Sequence, residues 1–351
     1  MSGHDAVTTP FPDRPLDAPS DDEFVFNVVW TGEVFDHLNP FLASQLAQSG
    51  ARFRFLANAC PPGQLEAMRS FAARHPGRVV EVLEISVDRM VRHGDALDEV
   101  FRTRDDGALF CLIDPDILAT APFLPMFSDL LGAHDAVTSG KEVWSSGNVR
   151  PDGHPGVNGE YFFDQDGFVF GSPHLAIYRR APLAETMARW SVGFSSAGND
   201  LPEATRQRLD ESGRGFLIYD TGKIVNILLQ LDGGRLCHRE HPALLHIGGV
   251  SHYLAPPSLA PAARGRPPAW GEDADWGKFD GMADRFEVAR YTAQVLRDLC
   301  AGRPAAAVPA AVEPSVRERL VLVRSALIDL IATYGAPVTT ASGAHEGEED
   351  R

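Results

Sequence analysis

Residues 24–30, FVFNVVW, are a short apolar run rich in β-branched and aromatic side chains, the pattern of a buried strand. Leu38, Phe41, Leu42 and Leu46 follow at helical spacing, and Gly50 is placed to end that helix. Strand then helix recurs downstream, with strands predicted at 52–56, 78–85 and 108–113 and helices at 63–75 and 88–102. Such alternation implies right-handed βαβ units, hence an α/β fold whose mostly parallel, Rossmann-like sheet is flanked by helices. Ligands of such sheets bind at the carboxyl ends of the strands.

Working outward, residues 1–22 and 337–351 lack periodicity and are expected to be loose tails. Residues 23–138 and 139–254 divide the folded body into two halves of one domain, and 255–336 add loops and C-terminal helices. After Thr138 the rhythm breaks into a Gly-, Asn- and aromatic-rich stretch, 139–171, expected to form binding loops. A strand is predicted at 174–178, and helices at 182–190, 202–212 and 221–231. Connecting loops are expected at 255–269 and 301–312, with helices at 283–300 and 314–334. The last helix carries an apolar seam of Val316, Leu320, Val323, Leu327, Leu330 and Tyr334, suited to packing on its own domain or, as the lesser expectation, to a homodimer.

Lys and Arg number 32 against 48 Asp and Glu, a net charge of −16 over 351 residues. That field repels phosphate backbones and anionic headgroups, so neither nucleic acid nor a membrane is an expected partner. The amino terminus lacks the features of a secretory signal and no apolar run approaches the roughly 20 residues of a spanning helix, so a soluble, cytoplasmic protein is expected. Cys60, Cys111, Cys237 and Cys300 stand far apart without a C-x-x-C pair, which excludes a zinc knuckle or redox couple written in sequence. Cys111 and Cys237 read as small core residues. No G-x-G-x-x-G follows the first strand, which disfavours dinucleotide oxidoreduction.

The sharpest chemical feature is Asp114-Pro115-Asp116, directly after the predicted strand 108–113. In extended backbone residues i and i+2 project to one side, so both carboxylates are expected to approach one hard cation at the strand's carboxyl end. A divalent metal there neutralises a diphosphate leaving group. A strand-ending turn is the bland alternative, since Asp and Pro are turn residues.

Asp114-Pro115-Asp116-Ile117-Leu118, with Pro122, Leu124 and Phe127 downstream, resembles the D-x-D region of GT-A-fold glycosyltransferases, over roughly residues 24–253. The resemblance makes 23–138 the nucleotide-sugar half and 139–254 the acceptor-binding and catalytic half. It implies Mn²⁺ or Mg²⁺ held by Asp114, Asp116 and His246, the last in Leu244-Leu245-His246, where many members place a carboxyl-terminal ligand. The spacing of His246 and Gly249 also resembles the H-x-x-G-x-x segment of glycogenin-type retaining transferases, although His252-Tyr253-Leu254 replaces its K-P-W. Donor binding is implied for Trp30, Thr31, Arg92, Asp98 and Asp114; such members usually carry Asn where Asp98 stands. Residues 166–172 resemble the glycine-bearing loop near donor and acceptor, and Trp144, Tyr161, Phe162, Phe170 and Gly171 are the expected acceptor contacts. Tyr219-Asp220 resembles the family's x-E-D segment, which makes Asp220 the catalytic base of an inverting reaction or a sugar-orienting group of a retaining one. On local grounds Asp220 is the N-cap of the helix that follows.

The expected activity is transfer of a sugar from a nucleoside-diphosphate donor to a hydroxyl of a small-molecule acceptor, in secondary metabolism. A haloacid-dehalogenase-like phosphohydrolase with Asp114 as nucleophile shares the D-x-D but needs a later acidic motif that the sequence lacks. A nucleotidylyltransferase would carry a glycine-rich basic loop where Trp30-Thr31-Gly32-Glu33 stands. A non-catalytic binding module of the same fold is the remaining alternative.

Overall fold

In the computed structural model, which describes residues 19–145, 162–164, 166–171, 174–196, 201–215, 221–254, 282–310 and 312–335, the amino-terminal half alternates as expected. β1 (Val25–Thr31) leads to α1 (Phe35–Ala47), β2 (Arg52–Asn58) to α2 (Pro62–Arg74), and β3 (Val79–Ser86) to α3 (His93–Thr103). β4 (Leu109–Ile113), β5 (Ile117–Ala119), α4 (Leu124–Leu131) and β6 (Ala136–Ser139) follow. Then come β7 (Leu175–Arg179), α5 (Arg180–Trp190), α6 (Glu203–Glu211), α7 (Lys223–Leu231), β8 (Leu236–His238), β9 (Leu244–His246) and α8 (Ser251–Leu254). Two long helices, α9 (Met282–Cys300) and α10 (Pro314–Tyr334), complete the described chain.

Seven strands form one sheet in the order β3-β2-β1-β4-β7-β6-β8, and only β7 runs against the rest. β5 and β9 pair separately as an antiparallel ribbon. Alternation along β1 sends Phe26, Val28 and Trp30 to one face and Val29 to the other, and both faces are covered, as helix-flanked parallel strands require. α1, α2, α4, α9 and α10 cover the first face; α3, α5, α6 and α7 cover the second.

Local structure departs from expectation in places. α3 begins at His93 and not at 88, because the Asn58 side chain takes both the Val91 N–H (2.9 Å) and the Val91 carbonyl (2.8 Å), satisfying that backbone outside a helix. β5, α4, β6, β8 and α8 lie outside the expected elements, because their runs are too short for periodicity to register. The N-cap position of α7 is Gly222, at φ +75°; Asp220, the expected cap, lies outside the described residues. The seam of α10 is buried at Val316, Leu320, Val323, Leu327 and Leu330 against α9 and α1, so it is spent inside the chain. All four cysteines are free; Cys111 is buried in the core, while Cys237 is only half-buried.

Candidate functional site

Three strand pairings from distant parts of the chain meet at the carboxyl end of β4. Antiparallel pairing sets Ile113 opposite Leu175, so the residue leaving β4 and the one entering β7 become neighbours. Asp114 N–H donates to the His174 carbonyl (2.6 Å), and His174 Nδ1 lies 2.9 Å from Asp114 Oδ2. The β5–β9 ribbon sets His246 opposite Ile117, and Ile247 N–H donates to the Asp116 carbonyl (3.1 Å). A lone bridge pairs Glu142 with His246. Asp114, His174 and His246 thereby present ligand atoms within 4.8 Å of one another.

Asp116 reaches this group by a route other than strand alternation. The strand ends at Ile113, residues 115–116 form a turn, and Asp116 Oδ1 comes to rest 3.2 Å from His246 Nε2. His246 Nε2 also lies 3.7 Å from Asp114 Oδ2, and His93 Nε2 lies 3.8 Å from Asp114 Oδ1. Glu142, 3% exposed, places Oε1 2.8 Å from His174 Nε2. Three carboxylates and two imidazoles thus share a largely buried space.

Their protonation follows from competing forces. Burial alone would lower His174, but Glu142 and Asp114 outweigh it and hold the imidazole well above its ordinary range. Burial also opposes a charged His246, and Asp116 reverses it to a net upward shift. Burial would raise Asp116 and Glu142; the histidines pull both below the carboxylate range instead. Even so, His174 Nε2, His246 Nε2 and Glu142 Oε2 are buried without an aligned hydrogen bond. Buried polar atoms without hydrogen bonds beside the Asp114, His174 and His246 group fit a site for a divalent cation.

The site also lies where the fold predicts a ligand. β1 and β4 are neighbours, yet the chain visits β2 and β3 between them, with α1 and α2 on one face and α3 on the other. That reversal opens a crevice at the strands' carboxyl ends, the topological switch point of an open α/β sheet. Thr31 ends β1 and Asp114 follows β4, flanking the crevice. Arg92, at the N-cap of α3 beside His93, is half exposed and paired with Asp95 at 3.0 Å.

Several residues expected at the donor or acceptor are used for structure instead. Trp30 is fully buried edge-on against Phe35 and Phe55, because β1 turns this side chain into the core. Asp98 accepts from Phe194 N–H, Ser195 N–H and Ser195 Oγ–H, which ties α3 to the loop after α5. Trp144 is 2% exposed and donates Nε1–H to the Gly248 carbonyl (3.2 Å), so it offers no stacking face. Phe162 is buried flat on His238 at 4.3 Å, and Phe170 is buried in the second core. Gly171, at φ +58°, passes so close to Thr138 and Asn226 that a Cβ would lie 2.9 Å from each side chain. Tyr161 and Asp220 fall outside the described residues.

His174 and Glu142 were missed by sequence reading. His174 was assigned to the start of a strand and Glu142 to a loop, and neither sits in a motif. The one available signal was topological: a strand paired antiparallel to β4 brings its first residue to the D-x-D.

No family model and no curated protein matches the chain. In fold it is similar to solved structures of low identity. One is mannosyltransferase PcManGT from Pyrobaculum calidifontis in complex with GDP-Man and Mn²⁺ (15% identity, TM-score 0.39, 92% of this chain and 80% of that one). A second is galactosyltransferase LgtC with donor and acceptor sugar analogues (12%, 0.42, 76% and 95%). A third is 4-diphosphocytidyl-2C-methyl-D-erythritol synthase from Anaerococcus prevotii (9%, 0.35, 65% and 92%). At these values the alignments say nothing of chemistry, which is carried by the side chains at the site.

Proposed function

We propose that the protein is a divalent-cation-dependent glycosyltransferase that moves a sugar from a nucleoside-diphosphate donor to a hydroxyl of a small-molecule acceptor, in secondary metabolism. The observation that carries this reading is the convergence of Asp114, His174 and His246, with Asp116 in contact, at the switch-point edge of the sheet. Asp114, Asp116 and His246 would hold Mn²⁺ or Mg²⁺. When bound, the cation supplies neutralising charge to a departing diphosphate.

The chain's own residues do the rest. Thr31 and Arg92 border the crevice and bind the donor from the β1 and α3 sides, Arg92 with a guanidinium suited to phosphate oxygens. Asp220 removes the acceptor's proton if the reaction inverts, and orients the sugar if it retains. A phosphohydrolase in which Asp114 attacks phosphorus is disfavoured, since His174 ties Asp114 Oδ2 at 2.9 Å and His246 and His93 crowd the same carboxylate.

The deciding experiment is calorimetric titration of the full chain with UDP, GDP, CDP and ADP, with Mn²⁺, with Mg²⁺ and in EDTA. One nucleotide should bind with cation and be lost in EDTA, and its sugar conjugate should be turned over. Binding of none of them, or equal binding in EDTA, rejects the reading.

A further inference from the structure

We propose that His174 is itself a ligand of the cation, so that two imidazoles and at least one carboxylate face it and the site selects a first-row transition cation over Mg²⁺. The inference rests on the reading above only in taking the cation site as real.

Both histidines are arranged alike. His246 donates Nδ1–H to the Gly140 carbonyl at 2.6 Å, which leaves Nε2 as the lone-pair nitrogen turned toward the carboxylates. In that tautomer Nε2 and Asp116 Oδ1 are two acceptors 3.2 Å apart, a contact that needs a proton or a cation between them. His174 has Glu142 Oε1 2.8 Å from Nε2 and Asp114 Oδ2 2.9 Å from Nδ1. Nδ1 meets the same Asp114 Oδ2 that His246 Nε2 faces, so a cation bound there would take the Nδ1 lone pair in place of the hydrogen bond to Asp114 and leave Nε2–H for Glu142. A metal-bound imidazole almost always gives its other N–H to a carboxylate or a backbone carbonyl; His246 gives it to the Gly140 carbonyl, and Glu142 Oε1 stands 2.8 Å from His174 Nε2 to receive it.

The spacing agrees. Ligands at about 2.1 Å in right-angled positions stand about 3 Å apart. Asp114 Oδ2 to His174 Nδ1 is 2.9 Å, His246 Nε2 to Asp116 Oδ1 is 3.2 Å, and His246 Nε2 to Asp114 Oδ2 is 3.7 Å. Ligand type then sets selectivity. Mg²⁺ favours oxygen and keeps its waters, whereas imidazole suits the later first-row ions. A second imidazole therefore shifts the site toward Fe²⁺, Co²⁺ or Zn²⁺, and Glu142 serves as the positioning carboxylate.

The test uses the metals alone, without nucleotide. Pulsed electron paramagnetic resonance of Mn²⁺ bound to the full chain with ¹⁵N-labelled histidine should show two coupled imidazole nitrogens; one nitrogen overturns the proposal. By calorimetry the wild type should bind Co²⁺ more tightly than Mg²⁺. His174→Gln should lose roughly tenfold or more in Co²⁺ affinity, while Mg²⁺ binding changes far less. A folded His174→Gln protein with wild-type Co²⁺ affinity and visible spectrum also overturns it. Two coupled nitrogens without nucleoside-diphosphate binding would reject the transferase and leave His174 a ligand. One nitrogen with nucleotide binding intact would do the reverse.

Discussion

Asp98 grips Ser195 twice: its Oδ2 accepts the Ser195 backbone N–H at 3.2 Å and the side-chain hydroxyl at 2.9 Å, while Oδ1 takes the Phe194 N–H at 2.7 Å. The approach depends on glycine, since a Cβ on Gly193 would lie 2.5 Å from Asp98 Oδ1 and one on Gly94 2.5 Å from Ser195 N. Asp98→Ala strands these donors and should cost about 1.5–3 kcal/mol, with Asp98→Asn milder. Thermal denaturation checks this; an unchanged melting temperature in Asp98→Ala would return Asp98 to the donor pocket.

Asp114 and Asp116 separate the centre of the cation site from its margin. Asp114→Asn should abolish Mn²⁺ binding and sugar transfer while the protein stays folded, because Asp114 Oδ2 faces both imidazoles. Asp116 meets His246 at 3.2 Å from the margin of the group, and Asp116→Asn should weaken the cation without removing it. Calorimetry on the two variants reads the difference, and an Asp114→Asn enzyme that keeps wild-type affinity would contradict it.

Gly248 sits at φ +75°, and a Cβ there would come 2.5 Å from Glu142 Cγ and 2.7 Å from Trp144 Nε1. Gly248→Ala adds backbone strain to a clash with the side chain that holds His174. A loss of about 1–3 kcal/mol is expected, with weaker Mn²⁺ binding. Chemical denaturation and metal titration measure the two effects.

Trp144 is a buried strut, with Arg319 of α10 donating to its carbonyl at 2.8 Å. Trp144→Phe keeps an aromatic ring but loses the bond to Gly248, at a cost of about 1 kcal/mol. Acceptor preference should not change. A shift in preference among acceptors, measured by product analysis, would show the indole reaching substrate.

At the opposite end of β3, Arg104 bonds Glu81 at 2.8 and 2.9 Å and Arg54 adds a contact at 3.2 Å. The bond to Arg104 holds the Glu81 carboxyl below its ordinary 4.5, against the upward push of burial. A depressed folded-state pKa gives stability that is present above 4.5 and is lost as pH falls through the folded value. Glu81→Gln should therefore flatten the stability profile below about pH 4.5, read by denaturant midpoints across acid pH.

The information legible along the chain is local. FVFNVVW and the amphipathic segments after it carry their periodicity in neighbouring residues, so β1, α1, β2, α2, β3 and β4 could be read one after another, and with them a mostly parallel sheet. Asp114 and Asp116 could be singled out because both carboxylates lie in one short stretch behind an apolar run. Strand pairing sets which residues join them. His174 meets Asp114 because β7 pairs antiparallel to β4, His246 arrives through the β5–β9 ribbon, and Glu142 through a single bridge. Tertiary packing also withdrew Trp30, Asp98 and Trp144 from the ligand, since a side chain's exposure depends on which elements pack over it. Hydrophobic period is a property of adjacent residues, whereas a cation site is a property of strand order, and register across a sheet leaves no trace in spacing along the chain.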